Sequence, residues 1–266
     1  MRFQPLYALT VAWAAAATIL PAKAEVWRPS AGTSFSIILS VSPNEIDTPA
    51  EAVELDLFDT RRSTVAALKS EGKRVICYMS AGTWENWRPD KHDFPDSVIG
   101  KPYDGWPGER WLNISDIDML APVMRARLDR CKAKGFDAVD PDNIDVYQAS
   151  NTGFDITRAD ARRYLRFLSR EAHQRGLAIG LKNVTELSDS VLPKFEFAVT
   201  EDCFDQGWCG KSRNFIEAGK PVFAIEYTDN DLSFAAFCRK AERLGLSPLM
   251  KRRNLGVWER RCPDGS

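Results

Sequence analysis

Carboxylates stand where the short apolar runs of this 266-residue chain stop. Asp56 and Asp59 close the run Ala52–Phe58, Asp140 and Asp142 close Phe136–Asp140, and Glu201 follows Phe195–Thr200. Glu226 precedes Tyr227 at the end of Pro221–Tyr227. Tyr78 and Ser80 finish Arg74–Ser80, Lys182-Asn183 follow Ala178–Leu181, and Lys251-Arg252-Arg253 finish Pro248–Lys251. Two carboxyl groups carried on facing elements have a defined chemistry. One, as the acid, protonates a leaving oxygen while the other, as the carboxylate, attacks or activates water, which is how a glycosidic bond is hydrolysed. Asp142 and Glu201 are the candidates for that pair. Glu has the longer reach and suits the acid, an apolar site being able to raise its pKa, and Asp142 is then nucleophile or base. Asp140 shares the strand face of Asp142 and is its nearest competitor. The bland alternative for any one of these acids is a cap on the next helix or a bond to a loop amide.

Lys182 and Asn183 can bind sugar hydroxyls or the acids themselves; a buried ion pair at the rim is the competing reading. Trp84, Trp87, Trp106 and Trp111 fall in one stretch, Ala81 to Asp118, and sugar rings stack on exposed aromatic faces. The other reading makes them the loop's own small core, and one or two of the four are expected to face substrate. His173 sits mid-helix and reads as packed, and His92 lies in the long loop with no role assigned.

These residues need a scaffold that brings strand ends together. Eight strand candidates are Phe35–Val41, Ala52–Phe58, Arg74–Ser80, Phe136–Asp140, Ala178–Leu181, Phe195–Thr200, Pro221–Tyr227 and Pro248–Lys251. Most are rich in Val, Ile and Phe, as strands buried on both faces must be. Glycine punctuates five helix-to-strand joints, at Gly72, Gly135, Gly176, Gly219 and Gly245, where only Gly takes the left-handed conformation cheaply. Helical periodicity appears over Met119–Lys134 and over Thr157–Arg175, the latter starting at a Thr157/Asp160 cap. The pattern predicts an α/β fold, a single-domain TIM (β/α)8 barrel over residues 25–266, whose active site lies at the C-terminal strand ends. The alternative, an open doubly wound sheet, lacks its Gly-rich phosphate turn here. A long aromatic excursion on a compact barrel is usually functional.

Residues 1–24 read as a secretory signal peptide: Arg2, an apolar stretch from about Leu6 to Leu20, and Ala22-Lys23-Ala24 as the cleavage site. The uncleaved anchor is the alternative. Without them, two of the 36 basic residues go and no acids, leaving 34 against 37 and a net charge of −3. That is no footprint for nucleic acid. The expectation is a secreted or periplasmic monomer with no membrane span. Cys77, Cys131, Cys203, Cys209, Cys238 and Cys262 make an even set, which favours disulfides in an exported chain. Cys203–Cys209 is a local staple and Cys238–Cys262 ties the tail, leaving Cys77–Cys131. A metal site is the rival, but no Cys-x-x-Cys occurs and His92 and His173 are the only histidines.

Long motifs in this chain resemble glycoside hydrolase family 114, the endo-α-1,4-polygalactosaminidases. They are the run Val75 to Asp90, Gly105 to Leu112, Gly135-Phe136-Asp137 with Pro141-Asp142-Asn143, Ala172-His173 to Leu177, Gly180-Leu181-Lys182-Asn183 and Glu226-Tyr227. The resemblance runs from Trp27-Arg28-Pro29 onward. It implies a TIM barrel that cleaves cationic, partly deacetylated α-1,4-galactosamine polymers, without cofactor, with its acids after strands four and six, matching Asp142 and Glu201. The chain departs from the family pattern at Asp140, where Glu is frequent, and at Thr200, where Asn is frequent. Substrate contacts are expected from Asp56, Asp59, Tyr78, Trp84, Asp140, Asn143, Lys182, Asn183, Glu226 and Tyr227, with Asp56, Asp59, Asp140 and Glu226 supplying charge opposite to sugar amines. A hydrolase of another α-linked glycan and a non-catalytic carbohydrate-binding barrel are the alternatives. Retention of the anomeric configuration is the expectation, and carboxyl separation decides it.

Overall fold

The computed structural model describes residues 25–40 and 46–263. The expected signal segment and Val41 lie outside them. Eight strands run parallel in the order in which the chain makes them: β1 (Phe35–Ile38), β2 (Ala52–Asp56), β3 (Arg74–Ser80), β7 (Ala138–Asp142), β8 (Ala178–Lys182), β9 (Phe197–Glu201), β10 (Val222–Tyr227) and β11 (Ser247–Lys251). All eight expected strands are present. The fourth and sixth begin two residues later than the apolar runs suggest. At β7 the reason is local: Gly135 turns left-handed (φ 95°), and the Asp137 carboxylate takes the Val75 N–H and the cations of Lys69 and Arg74, so pairing starts at Ala138.

The short strand β12 (Glu259–Arg260) pairs antiparallel with β11 and seals the gap to β1. Leu39 donates its N–H to Leu255 O (2.9 Å), Arg261 donates to Phe35 O (2.8 Å), and the Phe35 ring stacks on Phe223 with centroids 4.4 Å apart. The result is a TIM-like α/β barrel.

Outside the strands lie α1 (Arg62–Ser70), α2 (Ile117–Lys134), α3 (Arg158–Gln174), α4 (Ser188–Val191), α5 (Arg213–Glu217) and α6 (Phe234–Leu244). Helix α3 starts with a Thr157/Asp160 capping box, in which each side chain accepts from the other's N–H. Residues 83–112, expected as a loop, fold into a small antiparallel sheet of β4 (Thr83–Glu85), β5 (Ile99–Pro102) and β6 (Glu109–Leu112), in the order β4-β6-β5. Three disulfides join Cys77–Cys131, Cys203–Cys209 and Cys238–Cys262, the pairing expected. Among the described residues no helix is long and apolar enough to cross a membrane.

Candidate active site

Side chains alternate along a strand, so a residue buried inside the barrel fixes which of its neighbours also point inward. The barrel interior is filled by Phe35, Ile37, Ala52, Ile76, Ala138, Ala178, Phe197, Val199, Phe223, Ile225 and Leu249. Continuing each strand by steps of two toward its C-terminal end reaches Glu54 and Asp56 on β2, Tyr78 on β3, Asp140 and Asp142 on β7, Lys182 on β8, Glu201 on β9 and Tyr227 on β10. The sequence thus delivers Lys182 and several carboxyls to the same end of one barrel, and Lys251 at the end of β11 is a second buried ammonium there, donating to Gly256 O (2.7 Å) with Glu259 at 3.9 Å. A groove of about 850 Å³ opens there, lined by Asp142, Lys182, Asn183, Glu201, Tyr78 and Tyr227 together with residues of the flanking loops.

Lys182 is the hub. Its side chain is 1% exposed, and Nζ lies 3.1 Å from Glu201 Oε2, 3.6 Å from Asp140 Oδ2 and 3.9 Å from Asp142 Oδ1. Glu201 also accepts the Tyr227 hydroxyl proton and a 3.4 Å bond from Asn183 Nδ2, while its own N–H donates to Asn183 Oδ1 (2.8 Å). Asp142 accepts from Tyr78 OH (3.0 Å) and from the Asn143 N–H (2.8 Å). The two legs from Nζ, 3.1 and 3.9 Å, cap the separation of those Glu201 and Asp142 oxygens at about 7 Å. That span contains the ~5–5.5 Å of a retaining pair and only the near edge of the ~6.5–9.5 Å of an inverting one. Both carboxylates reach the groove, with side-chain exposures of 15% for Asp142 and 20% for Glu201.

Burial alone would raise the Glu201 pKa, but Lys182 first, then Tyr227 and Asn183, outweigh it and hold the carboxyl below the ordinary range. The raised value expected of an acid in an apolar site is therefore corrected: Glu201 sits beside a cation. Burial would also discharge Lys182, yet its acidic neighbours keep its pKa well above the ordinary value.

Several residues expected to contact substrate are buried or engaged by other side chains. Asp140 is fully buried beneath the groove, so Asp142 alone of that pair lines it. Glu226 is buried on the outer face of β10, because Tyr227 points inward; it accepts from the N–H groups of Phe204 (2.7 Å) and Asp205 (3.4 Å) and holds that loop. Asn143 turns away to donate to Ser80 Oγ and Thr83 Oγ1, both at 3.1 Å. Trp84 is packed, its indole N–H donating to Lys91 O (2.9 Å). Asp56 borders the groove, but both oxygens are engaged by Arg88 (2.9 and 2.6 Å) and by the Phe58 and Asp59 N–H groups. Asp59 stays open to solvent at the rim.

The excursion sheet supplies a wall instead. Trp87 and Trp106 are 50% and 56% exposed and line the groove with Tyr103, while Trp111 is packed against Tyr103. Opposite, the loop stapled by Cys203–Cys209 presents Trp208. Burial raises Glu109 to about 7 and, with help from Asp142, Asp145 to about 6; both line the groove. Sequence reading missed Glu54, Glu109, Asp145, Trp208 and Arg253. Arg253 lies 3.9 Å over the Tyr227 ring and is tied to Asp202 (2.7 Å).

A model of glycoside-hydrolase family GH114 matches residues 16–266. The chain belongs to that family. It is a glycoside hydrolase of the GH114 kind, with a barrel like that of its relatives. Its structure is similar to Aspergillus fumigatus Ega3, solved in complex with galactosamine, at 42% identity and a TM-score of 0.83, covering 90% of this chain and 98% of that one. The glycoside hydrolase domain of PelA from Pseudomonas aeruginosa shares the fold at 15% identity and a TM-score of 0.65, over 86% of this chain and 98% of that one. An uncharacterized protein of Deinococcus radiodurans is 27% identical, with 78% of this chain and 75% of that protein covered.

Proposed function

We propose that this GH114 chain is an exported, endo-acting hydrolase of α-1,4-linked galactosamine-containing polysaccharide, and that Asp142 and Glu201 carry its chemistry. The observation that carries the reading is the pair itself: two carboxylates from different strands meet across one groove and share a single buried cation. Galactosamine is bound by the Aspergillus relative at 42% identity. The exposed Trp87 and Trp106 and the half-buried Trp208 supply stacking surfaces for sugar rings, and Asp59, Asp145 and Glu186 supply negative charge along the groove for protonated amines. The pattern of residues 1–24 and the three disulfides support export to an oxidising compartment.

In the retaining course, Glu201 gives its proton to the glycosidic oxygen as Asp142 bonds to the anomeric carbon. The leaving chain departs as an alcohol. Water, deprotonated by Glu201, then opens the glycosyl–Asp142 bond and regenerates both groups. Because Lys182 and Tyr227 favour the ionised form of Glu201, its acid form is scarce at neutral pH, and activity is expected to favour the acidic side.

The test is digestion of de-N-acetylated α-1,4-galactosamine oligomers between about pH 4 and 8, with proton NMR on the first products. Shortened oligomers released first as the α anomer are expected. Binding without cleavage would make the barrel a carbohydrate-binding protein, cleavage only of other α-glycans would move the substrate, and first release of the β anomer would replace retention by inversion.

A further inference from the structure

On the excursion sheet two carboxylates meet where a strand pair ordinarily avoids them. Glu85 of β4 and Glu109 of β6 stand directly opposite each other in the antiparallel register, and like charges so placed destabilise the pairing. Both line the groove, Glu85 being 3% and Glu109 9% exposed. Arg88 Nε donates to Glu85 Oε1 (2.8 Å), but the other Glu85 oxygen is buried without a hydrogen-bond partner. Glu109 Oε2 has only the Thr83 hydroxyl (2.6 Å). Asp145 lines the same groove, and among the described residues no side chain donates to its carboxylate.

The cations nearby are committed to other acids: Arg88 to Asp56 and Glu85, Lys182 to Glu201, and Arg253 to Asp202. Lys211 belongs to the opposite wall with Trp208. Glu109 and Asp145 are thus left in a partly dry groove with no counter-charge. Tyr103 stands among them. Its N–H donates to Glu109 O (2.9 Å), and its hydroxyl is held protonated first by burial and then by the charges of Asp145, Asp142 and Glu109. The Trp106 ring is 6.4 Å from that of Tyr103. These acids do not converge tightly enough to close around a metal ion; among the described residues only Cys203, Cys209 and Glu226 crowd so closely, and there the sulfurs are a disulfide. A ring lying on Tyr103 and Trp106 with a cation on its edge satisfies both the aromatic face and the acids.

We infer that Glu109, with Asp145 beside it and Glu85 opposite it, receives the protonated amine of one sugar unit and makes the groove prefer amino sugars to neutral ones. This deepens the proposed function and rests on it. The like-charge cost carried by the free protein becomes attraction once an ammonium supplies the missing counter-charge. A neutral substituent at the same position would leave both carboxylates uncompensated, which is how a site rejects the analogue that lacks the group it was built for.

Galactosamine and galactose, which have no glycosidic bond to cleave, report on this site without turnover. In NMR titrations wild type should bind galactosamine at least about tenfold more tightly than galactose, and the preference should shrink as salt is raised. Glu109→Gln, whose amide oxygen still accepts from Thr83, should fold with a Tm no lower than wild type and lose most of the preference. Asp145→Asn, which has no side-chain bond to lose, should lose part of it. Equal binding of the two sugars by wild type, or a preference retained in both variants, would overturn the inference. Cleavage of galactosamine oligomers alongside such a retained preference would leave the hydrolase reading standing and remove only the amine site. A preference that disappears in Glu109→Gln, in a protein that cleaves no polymer, would remove only the hydrolase reading.

Discussion

A fully buried ammonium is tolerated at Lys182 because carboxylates at 3.1–3.9 Å compensate its lost hydration. What those acids do depends on small differences in their remaining partners, and Tyr227 is the partner that can be removed most cleanly. Its hydroxyl donates to Glu201, so Tyr227→Phe withdraws a charge-assisted bond of about 1.5–3 kcal/mol. The carboxylate form loses support, so the Glu201 pKa should rise. A kcat–pH profile should show the alkaline limb moved upward, with kcat reduced about tenfold; an unmoved limb would mean that Glu201 is not the titrating acid. The acids at strand tips were legible in sequence because each ends an apolar run. Their direction was not legible everywhere. On β10 both alternating sets, Phe223-Ile225-Tyr227 and Val222-Ala224-Glu226, are apolar up to the last member, so polarity could not tell which faces in, and Glu226 was placed in the groove. Glu54 was hidden because it lies inside the run Ala52–Phe58, two residues before the Asp56 that marks the strand's end.

Strands position these side chains only if the barrel interior can close around them, and β8 shows how tight that closure is. Gly180 faces inward where Phe197 and Asp140 leave no space for a methyl group. Gly180→Ala should cost about 1–3 kcal/mol by overpacking, read as a lower denaturation midpoint with an unchanged slope. A neutral result would show that Phe197 and Asp140 can move apart, and the buried tier would be looser than described. The glycine-terminated helices and eight parallel strands were readable because each repeats a local signal. The excursion sheet was not. Its strands are only three or four residues long and pair across insertions, as Thr83 does with Trp111, so no run in the sequence carries strand periodicity. Its consequence for the groove is concrete: β4 and β6 bury Trp111 and leave Trp106 and Trp87 outside.

Over the whole molecule, buried acids set the dependence of stability on pH. Asp140, Glu109 and Glu226 are each raised to about 7 and Asp145 to about 6, in every case by burial first. A carboxyl raised in the folded state contributes stability that is complete below its unfolded pKa of about 4 and is lost as pH rises through the folded value. The opposite class, Asp160 held low first by Thr157 and Glu171 held low first by Arg125, loses its contribution as pH falls below about 4. Tm should therefore be higher near pH 5 than near pH 8, by about 2–4 °C for every kcal/mol lost, in calorimetry on the disulfide-intact protein. A Tm that rises across that interval would contradict the protonated state assigned to these acids.

The catalytic role of Asp142 and Glu201 is tested most directly by turnover of Asp142→Asn and Glu201→Gln on α-1,4-galactosamine oligomers, each variant first shown to fold by its Tm. Both substitutions keep shape and remove charge. Loss of at least ~10²–10⁴ in kcat for each, with wild type shortening the oligomers, is the predicted result. Wild-type turnover in either folded variant would contradict it.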